Sequence, residues 1–328
     1  MVGVVNRNSW LVVASLMIGC ACAHAHSVQV NCGGEGQFSS IGAALKHLGS
    51  LGNDAPYTIS VKGTCHENLV IKDLGPLTIA GSAGASISDA SNGTRDVIAV
   101  DNTRVTISTM TINGNVNTDA VDCYDNAYCH LVDNTIQGGY DAVGIYKTAR
   151  GVVAGGVLQN NFATGIQVSG EATIVGVTIQ GNPTGVNVTR GGRATVGIAD
   201  PVFDQVPAVT QLLVVNNGIG IFVGEGAELR CSGCTIRNNS SDGIHADVSA
   251  AISVTPSFVY FDGAFLQSTI TNNSGVGVYI GDLSSATFTG QTSVNSNGQP
   301  DIACNSATAV TRGAIAAAGG MAHTNCSN

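Results

Sequence analysis

Four aspartates stand close together in one stretch of the chain: Asp119, Asp122, Asp125 and Asp141. Paired carboxylates can divide the acid and base roles of glycoside cleavage, or they can coordinate calcium. Asp119, Asp122 and Asp141 are therefore the candidate catalytic residues, with calcium as the one cofactor they suggest. Tyr124 and Tyr146 fall among them. An exposed tyrosine offers a sugar ring an apolar face and a polar rim, although stacked tyrosines also stabilise a sheet on their own account. Lys147, Arg150, Arg190 and Arg193 follow in nearby loops. Together they could receive a sugar carboxylate, arginine doing so bidentately. Lyase or epimerase chemistry on a uronate would also need a base at C5, for which His130, Tyr124 and Tyr146 are candidates. The plainer readings are solvated loop charges and aspartates that bond locally at corners.

These residues belong to a repeat, and the repeat must position them. A small residue precedes an apolar, variable, apolar triplet at Ala120, Ala142, Gly165, Gly185, Gly218, Gly243 and Gly275, with Asp301 in the same role at the end. The intervals run from 20 to 33 residues. Short strands and tight corners at that period predict an all-β solenoid, a right-handed parallel β-helix. A second apolar strand passes through Ile112, Ile136, Leu158, Ile179, Val215, Ile236, Ile270 and Val294. Asparagine follows it repeatedly, as in Asn160-Asn161, Asn182, Asn216-Asn217, Asn238-Asn239, Asn272-Asn273 and Asn297. Asparagine tolerates left-handed φ and can bond to its equivalent one coil away, so an axial ladder is expected there.

Alternate strand residues face opposite sides. One outward column should therefore hold Asp122, Gly144, Gln167, Asn187, Gly220, His245 and Gly277. A second should hold Tyr124, Tyr146, Ser169, Thr189, Phe222, Asp247 and Tyr279, with Tyr124 and Tyr146 as neighbours. The two longest intervals contain proline and aromatic residues and read as loops extruded just after a marker strand, of the kind that often wall a binding site. Ser241-Asp242-Gly243-Ile244-His245 puts one histidine on the outward face, where it reads as a surface residue.

Residues 1–25 have the form of a signal peptide: Arg7, an apolar run from Trp10 to Gly19, and small-residue cleavage sites at Ala21-Cys22-Ala23 and Ala23-His24-Ala25. The run is too short to span a bilayer, and no transmembrane segment is expected. Gly19-Cys20 suits lipid attachment at Cys20 as an alternative. Either route makes the chain secreted, periplasmic or displayed at the cell surface. Residues 26–304 form the expected β-helix domain. A helix capped at Ser39 or Ser40 closes its open end, and residues 305–328 serve as a C-terminal cap or tail. Thirteen basic against 22 acidic residues, a net charge of −9, argue against nucleic acid and anionic membranes as partners. Ten cysteines become eight without Cys20 and Cys22. An even number in an exported chain suggests disulfides. Proximity favours Cys123–Cys129, Cys231–Cys234 and Cys304–Cys326, leaving Cys32–Cys65.

Two resemblances accompany these readings. The glycine-rich start, the cap helix and the strand phrase in Tyr57 to Ile71, with Glu67-Asn68 inside it, resemble the opening of pectin methylesterase-like β-helices, within the pectate-lyase-like superfamily. That resemblance covers roughly residues 31–81 and implies the fold. The family's catalytic glutamines, aspartates and arginine have no counterpart motifs in this sequence. Asn117-Thr118-Asp119-Ala120-Val121-Asp122 and Tyr140-Asp141-Ala142-Val143 resemble successive strands of polygalacturonases. There the resemblance implies acidic roles for Asp119 and Asp141, while Tyr140 replaces a third acidic position. The later Gly-His-Gly strand is replaced by Ala163-Thr164-Gly165, and no Arg-Ile-Lys triplet follows.

The reading that results is an exported β-helix that acts on or binds polysaccharide, lyase-, epimerase- or hydrolase-like, at the face around residues 119–193. One alternative is a non-catalytic surface or envelope protein that binds glycans through the same face. Another is a periplasmic metal-handling protein: cleavage after Ala23 would leave a free amine with His26 at position three, which suits square-planar copper or nickel.

Overall fold

The computed structural model describes residues 26–52, 56–198, 210–258, 265–289, 292–305, 309–312, 315–316 and 326. The leader, Cys20 and the His24 half of the amino-terminal metal motif lie outside the described residues.

The chain winds as a right-handed parallel β-helix. Each coil contributes three strands, not the two visible in the sequence. In one coil these are Val121–Tyr124, Tyr128–Val132 and Thr135–Gln137. The first belongs to a ten-stranded sheet, here the marker sheet. The next two form the second and third faces, which run together into one larger sheet. The pairings between coils are parallel, as in Val121↔Val143↔Ile166↔Val186↔Ile221↔Ile244↔Val278, with a register shift where Val276–Ile280 meets Gly298–Cys304. All seven of these side chains are fully buried. The core is thus a set of apolar columns, each coil covering the last, which is why a chain with few charges and many small corner residues folds this way.

The register corrects three sequence assignments. Gly220 and Gly277, not Gly218 and Gly275, align with Gly185 and Gly243. On the third face Val214, not Val215, continues the column of Ile179 and Ile236. The sequence Ile219-Gly220-Ile221-Phe222-Val223 is apolar at three alternate positions, so a slide of two residues keeps the same side inward.

The asparagine corner divides its labour. Asn160, Asn216, Asn238 and Asn272 take left-handed φ. The residue after each builds the buried ladder. Asn161 N–H donates to Asn182 Oδ1 at 3.0 Å, Asn182 to Asn217 at 3.0 Å, Asn217 to Asn239 at 3.0 Å, and Asn239 to Asn273 at 3.1 Å. Asn273 continues it to Asn297, which ends on Asp301.

The amino-terminal end is closed by the helix Ile41–Gly49, capped by the Ser40 hydroxyl on Ala43 N–H, with Ile41, Ala44 and Leu48 buried. Glu67, from the first coil, accepts the N–H groups of Ile41 and Gly42 at 2.7 and 2.8 Å. A carboxylate on two orphan donors at a helix N-terminus is stabilising. Glu67→Ala should therefore lower stability by about 1–2 kcal/mol, seen as a lower urea midpoint with an unchanged slope.

All four expected disulfides are formed: Cys32–Cys65, Cys123–Cys129, Cys231–Cys234 and Cys304–Cys326. The first ties the strand His26–Cys32 to the first coil. Past Cys304, Ala309–Arg312 and Ile315–Ala316 pair with Ser285–Phe288 and Thr292–Asn295, so the tail adds strands to the solenoid. The two insertions leave one strand later than expected, after Arg193–Gly197 and Ala251–Thr255 on the second face. The alternating apolar pairs Ala194/Val196 and Ile252/Val254 keep those segments in the coil. No helix of the described residues is long and apolar enough to cross a membrane.

Candidate functional site

The residue two positions before the first inward apolar of each marker strand stacks along the axis. In three successive coils it is Asp96, Asp119 and Asp141, followed by Thr164. Each carboxylate accepts the backbone N–H of the residue stacked on it. Asp96 takes Asp119 N–H at 3.1 Å, Asp119 takes Asp141 N–H at 3.0 Å, and Asp141 takes Thr164 N–H at 2.9 Å. The Thr164 hydroxyl also donates to Asp141. The second oxygen of Asp119 accepts the Tyr146 hydroxyl at 2.8 Å.

Asp122 sits beside this column on the outward face, between Ala99 and Gly144 in register. Gly144 is required there. A Cβ at that position would run into both the Asp122 carboxylate and the Tyr146 ring. Without it, Tyr146 can lie back across its own strand to reach Asp119, so it turns toward the aspartates. Tyr124 instead follows Asp101 in register, and Asp101 is paired with Lys72 at 2.6 Å.

Three carboxyls crowded into a half-dry corner cannot all ionise. Burial, then the charge of Asp119 and a hydrogen bond with it, then Asp96, push Asp122 up to about 10. Its Oδ1 is buried without a hydrogen-bond partner. Asp96 is raised by burial and by the charge of Asp119. Burial pushes Asp141 up to about 6 against the Thr164 hydrogen bonds, with Asp119 adding to the rise. The Tyr146 phenol is driven well above its ordinary value by burial and by the charges of Asp122 and Asp119. Tyr124 is raised by burial and then by Asp101. At neutral pH Asp122 and both phenols therefore hold their protons. Asp119 and Asp141 are recessed, at 8% and 5% exposure. Asp96, Asp122 and Tyr146 are half-buried and are the members a ligand can reach.

The basic residues lie elsewhere. Lys147 is exposed on the corner after Asp141–Ile145. Arg150 and Arg193 open strands of the second face, in a column that reads Arg104, Tyr128, Arg150, Glu171, Arg193, Glu228. Arg150 pairs with Glu171 at 3.0 Å and Arg193 with Glu228 at 3.2 Å. Arg190 pairs with Glu225 at 3.8 Å. Arg150 and Arg193 thus alternate with glutamates in a ladder, and Arg190 has a glutamate of its own beside it. His130 is buried on the second face.

Two features escaped sequence reasoning. Asp96 completes the acid column, and its phrase Asp96-Val97-Ile98 carries the same signal as Asp119-Ala120-Val121 and Asp141-Ala142-Val143. The corrected register also brings Phe222, His245 and Tyr279 into one outward column, with ring centroids 5.5 and 4.5 Å apart. His245 Nδ1 meets Asp242 Oδ2 at 2.8 Å.

Among the described residues, one group brings three potential ligand atoms within 4.8 Å of one another, and it is Cys32, Cys65 and Glu67. Its two sulfurs are bonded to each other. Among the described residues, the carboxylates of the acid column do not bring three ligand atoms that close together.

The chain is in class a parallel β-helix with a carboxyl–phenol cluster on one face. No protein-family profile matches it, and no curated protein does. Several solved structures are similar to it. The mannuronan C-5 epimerase AlgE4 A-module of Azotobacter vinelandii is 13% identical, with a TM-score of 0.48, over 88% of this chain and 95% of that one. The AlgE6 A-module of the same organism is 12% identical, with a TM-score of 0.39, over the same shares. Pectate lyase Pel9A is 12% identical, with a TM-score of 0.47, over 87% of this chain and 77% of that one.

Proposed function

We propose that this chain is an exported β-helix protein that binds polysaccharide along the outer face of its marker sheet, around residues 119–193 and onward to Tyr279. One observation carries the reading: a single straight column joins the acid cluster to a run of amides and then to the aromatic stack. It reads Asp122, Gly144, Gln167, Asn187, Phe222, His245, Tyr279. At roughly 4.8 Å per coil it extends roughly 30 Å, a length that suits several sugar rings laid end to end. Its groups are those that recognise hydroxyls. The Tyr146 oxygen, whose proton goes to Asp119, keeps lone pairs to accept a sugar hydroxyl, and Gln167 and Asn187 present half-buried amides, Asn187 donating to Gln167 at 2.7 Å. The stacked rings use their faces on one another and offer a sugar their edges and polar tips. Four disulfides suit the oxidising compartment that export implies.

The acid cluster favours a second reading, acid-assisted cleavage of the bound chain. The protonated Asp122 carboxyl, on the outward face of its strand, is the member that would serve as the acid. Both readings are tested on a panel of polysaccharides, with and without calcium. Binding is followed by retardation in affinity gels, turnover by reducing ends, unsaturated uronate and epimerised product. The wild type should be retarded by at least one polymer, and Asp122→Asn and Tyr146→Phe should weaken that retardation. Failure of every polymer to bind would overturn the proposal. Binding without any product would remove the cleavage reading alone.

A further inference from the structure

The second face carries a groove that the marker-sheet column does not use. Its volume is about 520 Å³, and Glu171, Arg193 and Glu228 line one edge. Its floor is the outward column Thr173, Thr195, Arg230, Ser253, Thr287, one residue from each of five successive coils. Four of the five are hydroxyls, spaced by the coil repeat of roughly 4.8 Å. The run begins at Thr173, because the preceding coils place Val152 and His130 in the same column. The edge charges are already matched, Arg193 with Glu228 and Glu171 with Arg150. Arg230 differs. It is exposed in mid-floor and has no carboxylate within 4.0 Å among the described residues. Both insertions of the solenoid leave from this face, after Gly197 and after Thr255, at the ends of the strands that carry Thr195 and Ser253.

We infer that this groove is a second saccharide channel, taking a hydroxyl-rich chain that bears occasional carboxylates. The hydroxyl column addresses the sugar hydroxyls coil by coil, and Arg230 holds one uronate carboxylate, which its planar fork can grip bidentately. A dense polyanion does not fit, because the two arginines of the groove are balanced by two glutamates and the chain as a whole is acidic. The inference rests on the polysaccharide-binding reading above, but assigns a different face.

The test compares partly and fully methyl-esterified polygalacturonan in affinity gels. Arg230→Gln should weaken retention by the partly esterified polymer by roughly ten-fold, the scale of one lost charged hydrogen bond. It should leave retention by the fully esterified polymer unchanged. Thr195→Val with Ser253→Ala should weaken both. Arg237→Gln, an equal charge change on the third face, should weaken neither. Melting curves confirm that each variant folds. Unchanged retention in Arg230→Gln, or equal losses in Arg230→Gln and Arg237→Gln, overturns the channel. If Asp122→Asn and Tyr146→Phe alone weaken binding, the channel falls and the marker-face reading stands. If neither polymer nor any other of the panel is retained by the wild type, the functional reading falls with it.

Discussion

Asp122→Asn raises the melting midpoint at pH 8 and flattens its dependence on pH. Asp122 is pushed up to about 10 in the folded chain by burial and by the charge of Asp119, against an ordinary value near 4 for an unfolded aspartate. A raised carboxyl contributes its full share of stability below the unfolded value. It loses that share as pH climbs toward the folded value, because the unfolded chain sheds the proton first. Between about pH 4 and pH 10 the wild type should therefore weaken steadily, by an amount on the order of a few kcal/mol at neutrality. Asparagine keeps the shape and supplies amide hydrogens to Asp119 and Asp96 with no proton to lose. Midpoints at pH 5 and pH 8 for both proteins check this. A variant with the wild-type slope would show that Asp122 is not the titrating group. The same substitution weakens glycan retention in the proposal above, so stability and binding move in opposite directions.

Asn239→Ala has the largest expected cost of a single side chain. Asn239 is 0% exposed. Its Oδ1 accepts the backbone N–H of Asn217 at 3.0 Å, and its amide donates to Asn273 Oδ1 at 2.8 Å. Alanine leaves the Asn217 N–H buried without its acceptor, at about 1–3 kcal/mol, and takes from Asn273 Oδ1 one of its two donors, the backbone N–H of residue 239 remaining. The total is a large part of an ordinary domain's stability. Urea unfolding should show the midpoint fall by that margin. Asn239→Asp separates the two halves of the effect. It keeps the acceptor but gains a donor only when protonated, so it should recover part of the loss as the pH is lowered. A loss of less than 1 kcal/mol in Asn239→Ala would mean that the ladder carries little of the corner's stability.

The architecture was legible because the inward residues speak with period two inside a longer repeat, and a parallel solenoid is the arrangement that buries both patterns at once. The disulfides were legible because short separations leave few alternatives. The first outward column was legible as far as Asn187 and again at His245, but not at the coils on either side of it. Beyond Asn187 the coil Ile219–Val223 is apolar at every second position, and nothing in its own composition fixes the register to better than two residues. The glycines that fix it, Gly185, Gly220 and Gly243, do so by contacts between coils: a Cβ on Gly220 would strike the backbone of Gly243 and the side chains of Ile236 and Asn239. That slide hid the Phe222–His245–Tyr279 stack. The acid cluster was half visible. Asp119, Asp122 and Asp141 stood out by density, while Asp96 lay among polar residues of a corner and was found only through its bond to Asp119 N–H. The arginines were misleading because a loop after a marker strand is already the edge of the next face, where glutamates one coil away claim them.

The two kinds of corner set what this chain can tolerate by way of editing. At the asparagine corner each residue answers to a fixed atom in the following coil, so an inserted or deleted residue there would unstitch every coil beyond it. The corner between the second and third faces carries no continuous asparagine ladder among the described residues, only separate bridges such as Asn134 to Met110 and Ser268 to Gly233, and both long insertions emerge from it. A lineage of such chains can therefore lengthen by whole coils and diversify at one seam while the opposite seam stays frozen. New loops grafted after Gly197 or Thr255 should be accepted, where the same loops placed beside Asn217 should not.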